Sequence, residues 1–306
     1  MKFLERSLDG QNQFWKYVIV VLASLFGGQI IGGIPLLCVI MYKVITSGGA
    51  ITLNPKNMMD FSVYGISNNW VLFLMLFAFV VMLFVAILLI KVLHKRSFAE
   101  TVNGRRKIRI RRCLAGVAVW SILMAIYYGV DQWINPGDYR LQFNLSAFIP
   151  LLLISLIMIP IQTTSEEFLF RGYLTQGFAG WTKSRWIAIL IPGLIFGLIH
   201  IINPEVKAFG FWVSMSQYLF FGLLLGLVAV LDDGIELSMG IHAANNVFLS
   251  LFITNYASAL QTNAIFEQVR VIPVKETINV IAIGTIAFAF FAWKYKWNFK
   301  ILNQKL

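Results

Sequence analysis

Three short clusters in the second half of this sequence contain residue types that could perform acid–base chemistry. They comprise two adjacent carboxylates followed by an arginine, one histidine, and a second histidine with an asparagine four positions later: Glu166, Glu167, Arg171, His200, His242 and Asn246. All of them lie in or beside strongly apolar stretches. Ionisable residues are expensive to bury in a membrane, which makes such residues candidates for function. We therefore expect the three clusters to meet in one site.

The chemistry that these residue types support is hydrolysis. A carboxylate and an imidazole can position and deprotonate a water molecule. A second imidazole and an amide can donate to the oxyanion that forms when this water attacks a peptide carbonyl, which is worth roughly 3 to 4 kcal/mol when preorganised. Glu166 with His200 and His242 could equally ligate a divalent metal such as zinc. The sequence contains no HExxH motif, so metal-dependent and metal-free mechanisms are both open.

Spacing suggests separate tasks for the two carboxylates. Glu167 and Arg171 are four residues apart, so on a helix they share a face and can form an ion pair. Glu166 projects about 100° away and is free for another task. His242 and Asn246 are also four apart, so one helix aims both at the same region. The alternative interpretation of the carboxylates and arginine is an interfacial charge cluster without chemistry.

Composition indicates which elements must position these residues. The 306-residue chain is 58% hydrophobic and only 13% charged, with a mean hydropathy of +0.76, whereas soluble domains carry about 25% charged residues. Several apolar runs reach the roughly 20 residues that a helix needs to cross a bilayer, and none alternates as in an outer-membrane barrel. The expected fold is all-α, a polytopic membrane bundle of about eight transmembrane helices.

Eight spans are predicted from these apolar runs. They cover residues 17–42, 70–92, 113–130, 145–161, 186–202, 213–231, 238–256 and 278–297. The first run is longer than the core of a signal peptide, so we expect it to be retained as a span. No internal repeat of the transporter type is evident. Residues 1–306 are therefore expected to form a single membrane domain.

The net charge of +11 does not indicate nucleic-acid binding. The cations concentrate at the ends of apolar runs, where cytoplasmic loops collect Lys and Arg, and the basic loop between the second and third spans leaves little room for a folded basic module. Within this loop, at residues 91–112, we expect His94 to be a solvated interfacial residue and the cations, among them Arg96, to be attracted to the anionic lipid headgroups. Eight crossings place both termini on the same side as this loop, the cytoplasmic side of a bacterial cell membrane.

At the clustered positions the sequence resembles the CPBP family of intramembrane proteases, which includes CAAX prenyl endopeptidases and Abi-type proteins for bacteriocin processing or immunity. The family pattern consists of EExxxR, FxxxH and HxxxN or HxxxD, and all three occur here in order. The matching residues are Glu166, Glu167, Arg171, Phe196, His200, His242 and Asn246. The resemblance covers about residues 150–252, and a catalytic core of about 145–256 is expected.

The resemblance implies a helical bundle with a polar cavity open to the cytoplasm, acting on a membrane-associated or prenylated peptide or protein. It assigns water activation to Glu166 and His200, and oxyanion stabilisation to His242 and Asn246. Supporting contacts fall to the remaining motif residues, Glu167, Arg171 and Phe196. The family's mechanism has been argued both as metal-dependent and as that of a metal-free glutamate protease, so the cofactor is open.

Two other function classes compete with the peptidase. A non-catalytic scaffold or bacteriocin self-immunity protein would use the same polar core to bind a membrane partner. A transporter would use the carboxylates and histidines as a path for protons or ions.

The predicted spans also impose a geometric condition on the site. A fifth span that starts at residue 186 on the cytoplasmic side places His200 about 21 Å along its axis. Residues 165–180 must then dip into the membrane, or the spans must be broken or tilted, for Glu166 to reach His200.

Overall fold

A computed structural model describes residues 2–47, 61–105 and 107–306, and most of these residues are helical. The α-helices are α1 (Phe14–Thr46), α2 (Asn68–His94), α3 (Phe98–Asn103), α4 (Ile110–Ile134), α5 (Leu145–Glu167), α6 (Thr175–Thr182), α7 (Arg185–Ile199), α8 (Pro204–Phe209), α9 (Phe211–Leu231), α10 (Glu236–Phe252) and α11 (Pro273–Tyr295). A π-helical segment, Phe168–Leu174, joins α5 to α6. Three short strands, β1 (Tyr139–Leu141), β2 (Ile253–Thr254) and β3 (Phe266–Gln268), form one sheet in the order β1-β3-β2.

Seven stretches of helix in the described part of the chain are long and apolar enough to cross a membrane. They are Phe14–Thr46, Asn68–His94, Ile110–Ile134, Leu145–Thr182, Arg185–Ile202, Phe211–Leu231 and Pro273–Tyr295. The remaining predicted span corresponds to α10, which has 17 residues and packs against α4, α5 and α9. The expected all-α polytopic bundle is thus confirmed, with a short polar helix at its centre.

Close backbone contacts hold α10 in this central position. A Cβ atom added to Gly240 would lie 2.0 Å from the carbonyl oxygen of Cys113 on α4. A Cβ atom added to Gly222 on α9 would lie 2.4 Å from the carbonyl oxygen of Gly193 on α7. Because a side chain would force each pair of helices apart, glycine is what allows these helices to approach so closely. Each helix that carries a histidine of the clusters, α10 or α7, is therefore held directly against a neighbouring helix.

Both described ends of the chain lie at one end of the bundle, together with the basic loop. The backbone N–H groups of Lys2 and Phe3 donate to the Asp233 carboxylate at 3.2 and 3.0 Å. At the other end of the chain, the Leu306 N–H donates to the Lys183 carbonyl at 3.1 Å. We call this end, formed by residues 2–12, 95–105, 107–109, 232–236 and 298–306, the basic end. The sheet lies at the opposite end, called the sheet end.

Two residues of the basic loop, His94 and Arg96, are buried, so the prediction that His94 is solvated was wrong. His94 is 5% exposed, and its Nδ1 and Nε2 atoms lie 3.0 Å from the Gln11 carbonyl and 2.6 Å from the Tyr173 hydroxyl. Arg96 is also 5% exposed and donates to Asn12 Oδ1 at 2.6 Å. The N-terminal segment folds back beneath α2 and supplies partners for both side chains, which offsets the cost of burying them.

The fourth span extends well beyond its predicted end at residue 161. Leu145–Thr182 is one 38-residue helical stretch, in which residues 165–177 are all buried. The polar residues of this stretch pair inside the bundle, so they do not end the span. Glu166 precedes Thr182 by sixteen residues, which places it on the order of 20 Å along the helix from the basic end. This depth matches the one predicted for His200, and neither a re-entrant loop nor a broken span is needed.

Candidate functional site

Arg171 and Glu167 form a buried ion pair beside the π-helical turn. Arg171 Nη1 lies 2.6 Å from Glu167 Oε1, and both side chains are at most 1% exposed. Arg171 Nη2 donates to the Gly222 carbonyl at 3.3 Å, and the guanidinium lies 3.8 Å from the centre of the Phe196 ring. Hydrogen bonds and the opposite charge together compensate the burial of the guanidinium. The pairing expected from the four-residue spacing is present, although the helix here is partly π-helical.

His242 on α10 contacts both carboxylates of the first cluster. Its Nδ1 atom lies 2.8 Å from Glu167 Oε1, and its Nε2 atom lies 3.6 Å from Glu166 Oε2. Because Glu167 Oε1 already accepts from Arg171, it also acts as the acceptor for an Nδ1–H donor on His242. A neutral imidazole with its proton on Nδ1 has a lone pair on Nε2. In this tautomer of the neutral ring, two acceptors, Nε2 and Oε2, face each other.

Glu166 itself is 6% exposed and lies inside the bundle. The side-chain amide of Gln162, one helical turn earlier on α5, lies within reach of this carboxylate. Among the described residues, its Oε2 atom has no hydrogen-bond partner. A buried carboxylate oxygen normally has a partner, and an open acceptor of this kind calls for an explanation such as an ordered water. The position beside His242 Nε2 would suit a water molecule that donates to both acceptors.

His200 lies next to this cluster, across the ring of Phe196. The centroid of the Phe196 ring is 4.7 Å from that of His200 and 5.9 Å from that of His242. His200 Nδ1 lies 2.7 Å from the Phe196 carbonyl, and its ring stacks on Tyr218 at 4.5 Å. Since a carbonyl only accepts, Nδ1 carries the proton and Nε2 of the neutral ring is an acceptor. The structure therefore places His242 directly beside Glu166, and the Phe196 ring lies against both His242 and His200.

Asn246 faces α5, one helical turn after His242. Its Nδ2 atom donates to Gln162 Oε1 at 3.1 Å, and its Oδ1 atom accepts from Asn245 Nδ2 at 3.0 Å. Our sequence reasoning missed Gln162 and Asn245. The signal for Gln162 was available, because it lies four residues before Glu166 and so shares a helix face with it. Asn245 has no such signal, since its partner Trp120 lies 125 positions away.

The three-ligand zinc site considered from the sequence does not fit this arrangement. Within the described residues, no group of three or more His, Cys, Asp or Glu side chains could hold a metal ion together. Glu166 and His242 approach each other, whereas the Phe196 ring lies against both His200 and His242. No metal-dependent step follows from this geometry.

Comparison with known proteins identifies the family. A family model described as Type II CAAX prenyl endopeptidase Rce1-like matches residues 145–248. Over 297 residues the chain is also 33% identical to an uncharacterized protein, YyaK, of Bacillus subtilis (strain 168), with 95% of each chain covered. The chain belongs to the Rce1-like family. No solved structure matches it.

Membership in the Rce1-like family confirms the resemblance to the CPBP intramembrane proteases and places the chain among proteases that act on peptides or proteins at the membrane. The matched segment runs from α5 to α10 and contains every motif residue of the site. The first helices, α1, α2 and α4, and the last helix, α11, lie outside it. One of these outer helices, α4, nevertheless contacts the site through Trp120.

Proposed function

We propose that this chain is an intramembrane endopeptidase that hydrolyses a peptide bond of a membrane-associated or prenylated peptide or protein. The observation that carries the proposal is the pair of facing acceptors, Glu166 Oε2 and His242 Nε2, 3.6 Å apart. A water molecule that donates one O–H to each acceptor keeps its lone pairs free to attack a carbonyl carbon. This arrangement is the one that general-base catalysis requires.

The reaction then follows from the donors and acceptors around this water. As the water oxygen bonds to the carbonyl carbon, its proton passes to Glu166. When the tetrahedral intermediate collapses, the C–N bond breaks and the same proton passes to the leaving amine. The second N–H of Asn246 Nδ2, which Gln162 does not use, supplies a donor for the oxyanion.

In this proposal Glu167 and Arg171 act through His242. The ion pair keeps Oε1 of Glu167 at 2.8 Å from His242 Nδ1, which fixes the tautomer and the orientation of the imidazole. His242 thus takes the position beside Glu166 that the resemblance assigned to His200. A role for His200 in proton transfer during the reaction stays a prediction.

The proposal is tested with purified protein in proteoliposomes and an internally quenched farnesylated peptide that ends in a CAAX sequence. We expect the wild-type protein to cleave it and Glu166→Gln to lose at least about 100-fold in kcat, because general-base catalysis contributes 10²- to 10⁴-fold. Glu267→Gln, in a partly exposed pair with Arg140 at the sheet end, is the control and should retain turnover.

Two outcomes would contradict the proposal: a wild-type protein that cleaves neither the farnesylated peptide nor its unprenylated counterpart, or a Glu166→Gln variant with full turnover. Comparison of the two peptides also tests whether the substrate must be prenylated. Cleavage of both at the same rate would restrict the proposal to membrane-associated peptides in general.

We also propose that the basic end faces the cytoplasm of a bacterial cell. The N-terminal segment, the C-terminal segment and the basic loop all lie at this end, and cytoplasmic loops carry an excess of Lys and Arg. A cysteine introduced at Lys107 should be protected from a membrane-impermeant maleimide in intact cells and labelled after permeabilisation. Labelling in intact cells would reverse the proposed orientation.

A further inference from the structure

Four side chains form a continuous hydrogen-bonded path that leads to the residue one helical turn before Glu166. We call this path the amide relay, and its members in order are Trp120, Asn245, Asn246 and Gln162. Trp120 Nε1 donates to Asn245 Oδ1 at 3.2 Å, and Asn245 Nδ2 donates to Asn246 Oδ1 at 3.0 Å. Asn246 Nδ2 donates to Gln162 Oε1 at 3.1 Å, which leaves the Gln162 amide nitrogen available to the carboxylate of Glu166. The path connects three helices, α4, α10 and α5.

The two ends of the amide relay determine the direction of every bond within it. The indole of Trp120 can only donate, and the ionised carboxylate of Glu166 can only accept. Each of the three amides between them must therefore accept on the Trp120 side and donate on the Glu166 side. Rotating any one amide by 180° would place two oxygens or two N–H groups against each other. The path thus has a single self-consistent arrangement.

Burial makes this arrangement costly to break. Trp120 is fully buried and Gln162 is 6% exposed. An amide that loses its partner in such surroundings retains its desolvation penalty, whereas a fully paired polar network makes its members rigid. The contact of Gly240 with the Cys113 carbonyl keeps α4 against α10, so Trp120 stays within reach of Asn245.

We propose that Trp120, Asn245 and Gln162 are positioning residues for the peptidase reaction, an inference that rests on the proposed function. Gln162 donates to one side of the Glu166 carboxylate, which leaves Oε2 directed toward His242. The relay also occupies one N–H of Asn246 and its Oδ1 atom, so the second N–H is oriented for the substrate oxyanion. Trp120 lies outside the segment matched by the family, at residues 145–248, and extends the site into α4.

The first test separates positioning from binding with three variants in the farnesylated-peptide assay. Gln162→Met removes the amide donor near Glu166 at similar volume, and Trp120→Phe removes the indole donor together with part of the buried ring. Asn245→Asp accepts from Trp120 but cannot donate to Asn246. We expect each variant to lower kcat by roughly 3- to 10-fold, as the loss of one hydrogen bond does, with KM within about twofold of the wild-type value. Unchanged kcat in all three variants would overturn the inference.

Ser155→Ala is the matched control, because it breaks a different hydrogen bond between the same two helices. Ser155 on α5 and Ser250 on α10 are 3.0 Å apart and buried, and neither belongs to the amide relay. We expect this variant to retain the wild-type kcat. A loss equal to that of Gln162→Met would show that any weakened contact between α5 and α10 has the same effect, which would overturn the inference.

A double-mutant cycle tests whether the members of the relay act as one unit. If Trp120 acts on Glu166 only through the relay, Trp120→Phe combined with Gln162→Met should be no slower than the slower single variant. Multiplication of the two kcat losses would mean that the residues act independently, and would overturn the inference. Glu166→Gln in the same assay tests the proposed function separately. The proposed function fails if this variant keeps full turnover or if the wild-type protein shows no turnover.

A measurement without substrate examines the relay directly. In protein labelled with ¹⁵N-tryptophan, the indole N–H resonance of Trp120, assigned from its absence in Trp120→Phe, should shift in Gln162→Met although the two side chains are not in contact. Ser155→Ala should leave this resonance in place. A resonance that responds to neither variant would overturn the relay even when the wild-type enzyme is active.

Discussion

Glu167 and His242 are joined by a 2.8 Å contact between Oε1 and Nδ1 in the interior of the bundle. The same carboxylate oxygen lies 2.6 Å from Arg171 Nη1. One buried acceptor thus connects an ion pair, which contributes to the fold, with an imidazole that faces the proposed base. The integrity of the site and the stability of the bundle are therefore coupled at Glu167.

Replacing Glu167 tests this coupling. Glu167→Gln removes the charge that compensates Arg171, and an unpaired buried guanidinium costs roughly 3 to 5 kcal/mol of unfolding free energy. We expect a large loss of stability in detergent, measured by thermal and denaturant unfolding. Arg140→Gln, which removes the partner of Glu267 in an exposed pair, should cost less than about 1 kcal/mol. Equal losses of unfolding free energy in the two variants would contradict the role of Glu167 as the buried charge partner of Arg171.

A methyl group at the contact between α4 and α10 should displace the central helix. In Gly240→Ala the new Cβ atom would lie 2.0 Å from the Cys113 carbonyl, and overpacking of this kind costs roughly 1 to 3 kcal/mol. We expect lower thermal stability and reduced peptide cleavage. Gly129→Ala, also on α4, has no atom within 4 Å of the added Cβ and should leave both unchanged or raise stability slightly.

Glu205, in α8 between the spans, should make stability depend on pH. Burial raises the pKa of its carboxyl group, and its Oε1 atom accepts from the Ala259 N–H at 2.7 Å. The unfolded chain releases the Glu205 proton more readily than the folded protein does. The carboxyl group therefore lowers stability as the pH rises above its pKa in the unfolded chain. We expect Glu205→Gln to raise the melting temperature at pH 7.5 and to change it little at pH 4. A larger gain in melting temperature at pH 4 than at pH 7.5 would contradict a raised pKa of the Glu205 carboxyl group.

Chelation should not abolish cleavage if the facing pair Glu166 and His242 activates water by itself. Incubation with 1,10-phenanthroline, followed by its removal, should leave the kcat for the farnesylated peptide within about twofold of its initial value, because a change of this size is under 0.5 kcal/mol in barrier height. Metal content is measured on the same sample. A loss of activity that added Zn²⁺ restores would show that the site gathers a third ligand when substrate binds.

Local rules predicted the parts of the site that lie on a single helix. The four-residue spacing of Glu167 and Arg171 and of His242 and Asn246 was sufficient to place each pair on one face. The pairing of Glu166 with His242, rather than with His200, depends on how α5 and α10 pack, and no spacing within the chain contains that information. The amide relay escaped prediction for the same reason.

Partners that are distant in sequence also explain the main error. Lys and Arg residues between two spans usually face water, yet His94 bonds to Gln11 and Tyr173, which lie 83 and 79 positions away. The π-helical turn likewise had no local signal, and its presence let the fourth helix continue through residues that sequence rules treat as a boundary. The approximate positions of the apolar helices, in contrast, follow from hydropathy, apart from the end of the fourth helix and the short helix α10.

The length of Leu145–Thr182 has a consequence for how the protein meets its lipid environment. At 38 residues this helix extends about 55 Å, well beyond a hydrocarbon core of about 30 Å. Glu166 follows Leu145 by 21 residues, so a helix that enters the bilayer at its first residue carries this carboxylate about 30 Å inward. The sixteen residues from Glu166 to Thr182 extend about 24 Å further, so the helix must project beyond the hydrocarbon core or tilt within it. The acyl-chain length of the host membrane would set how close Glu166 comes to bulk water.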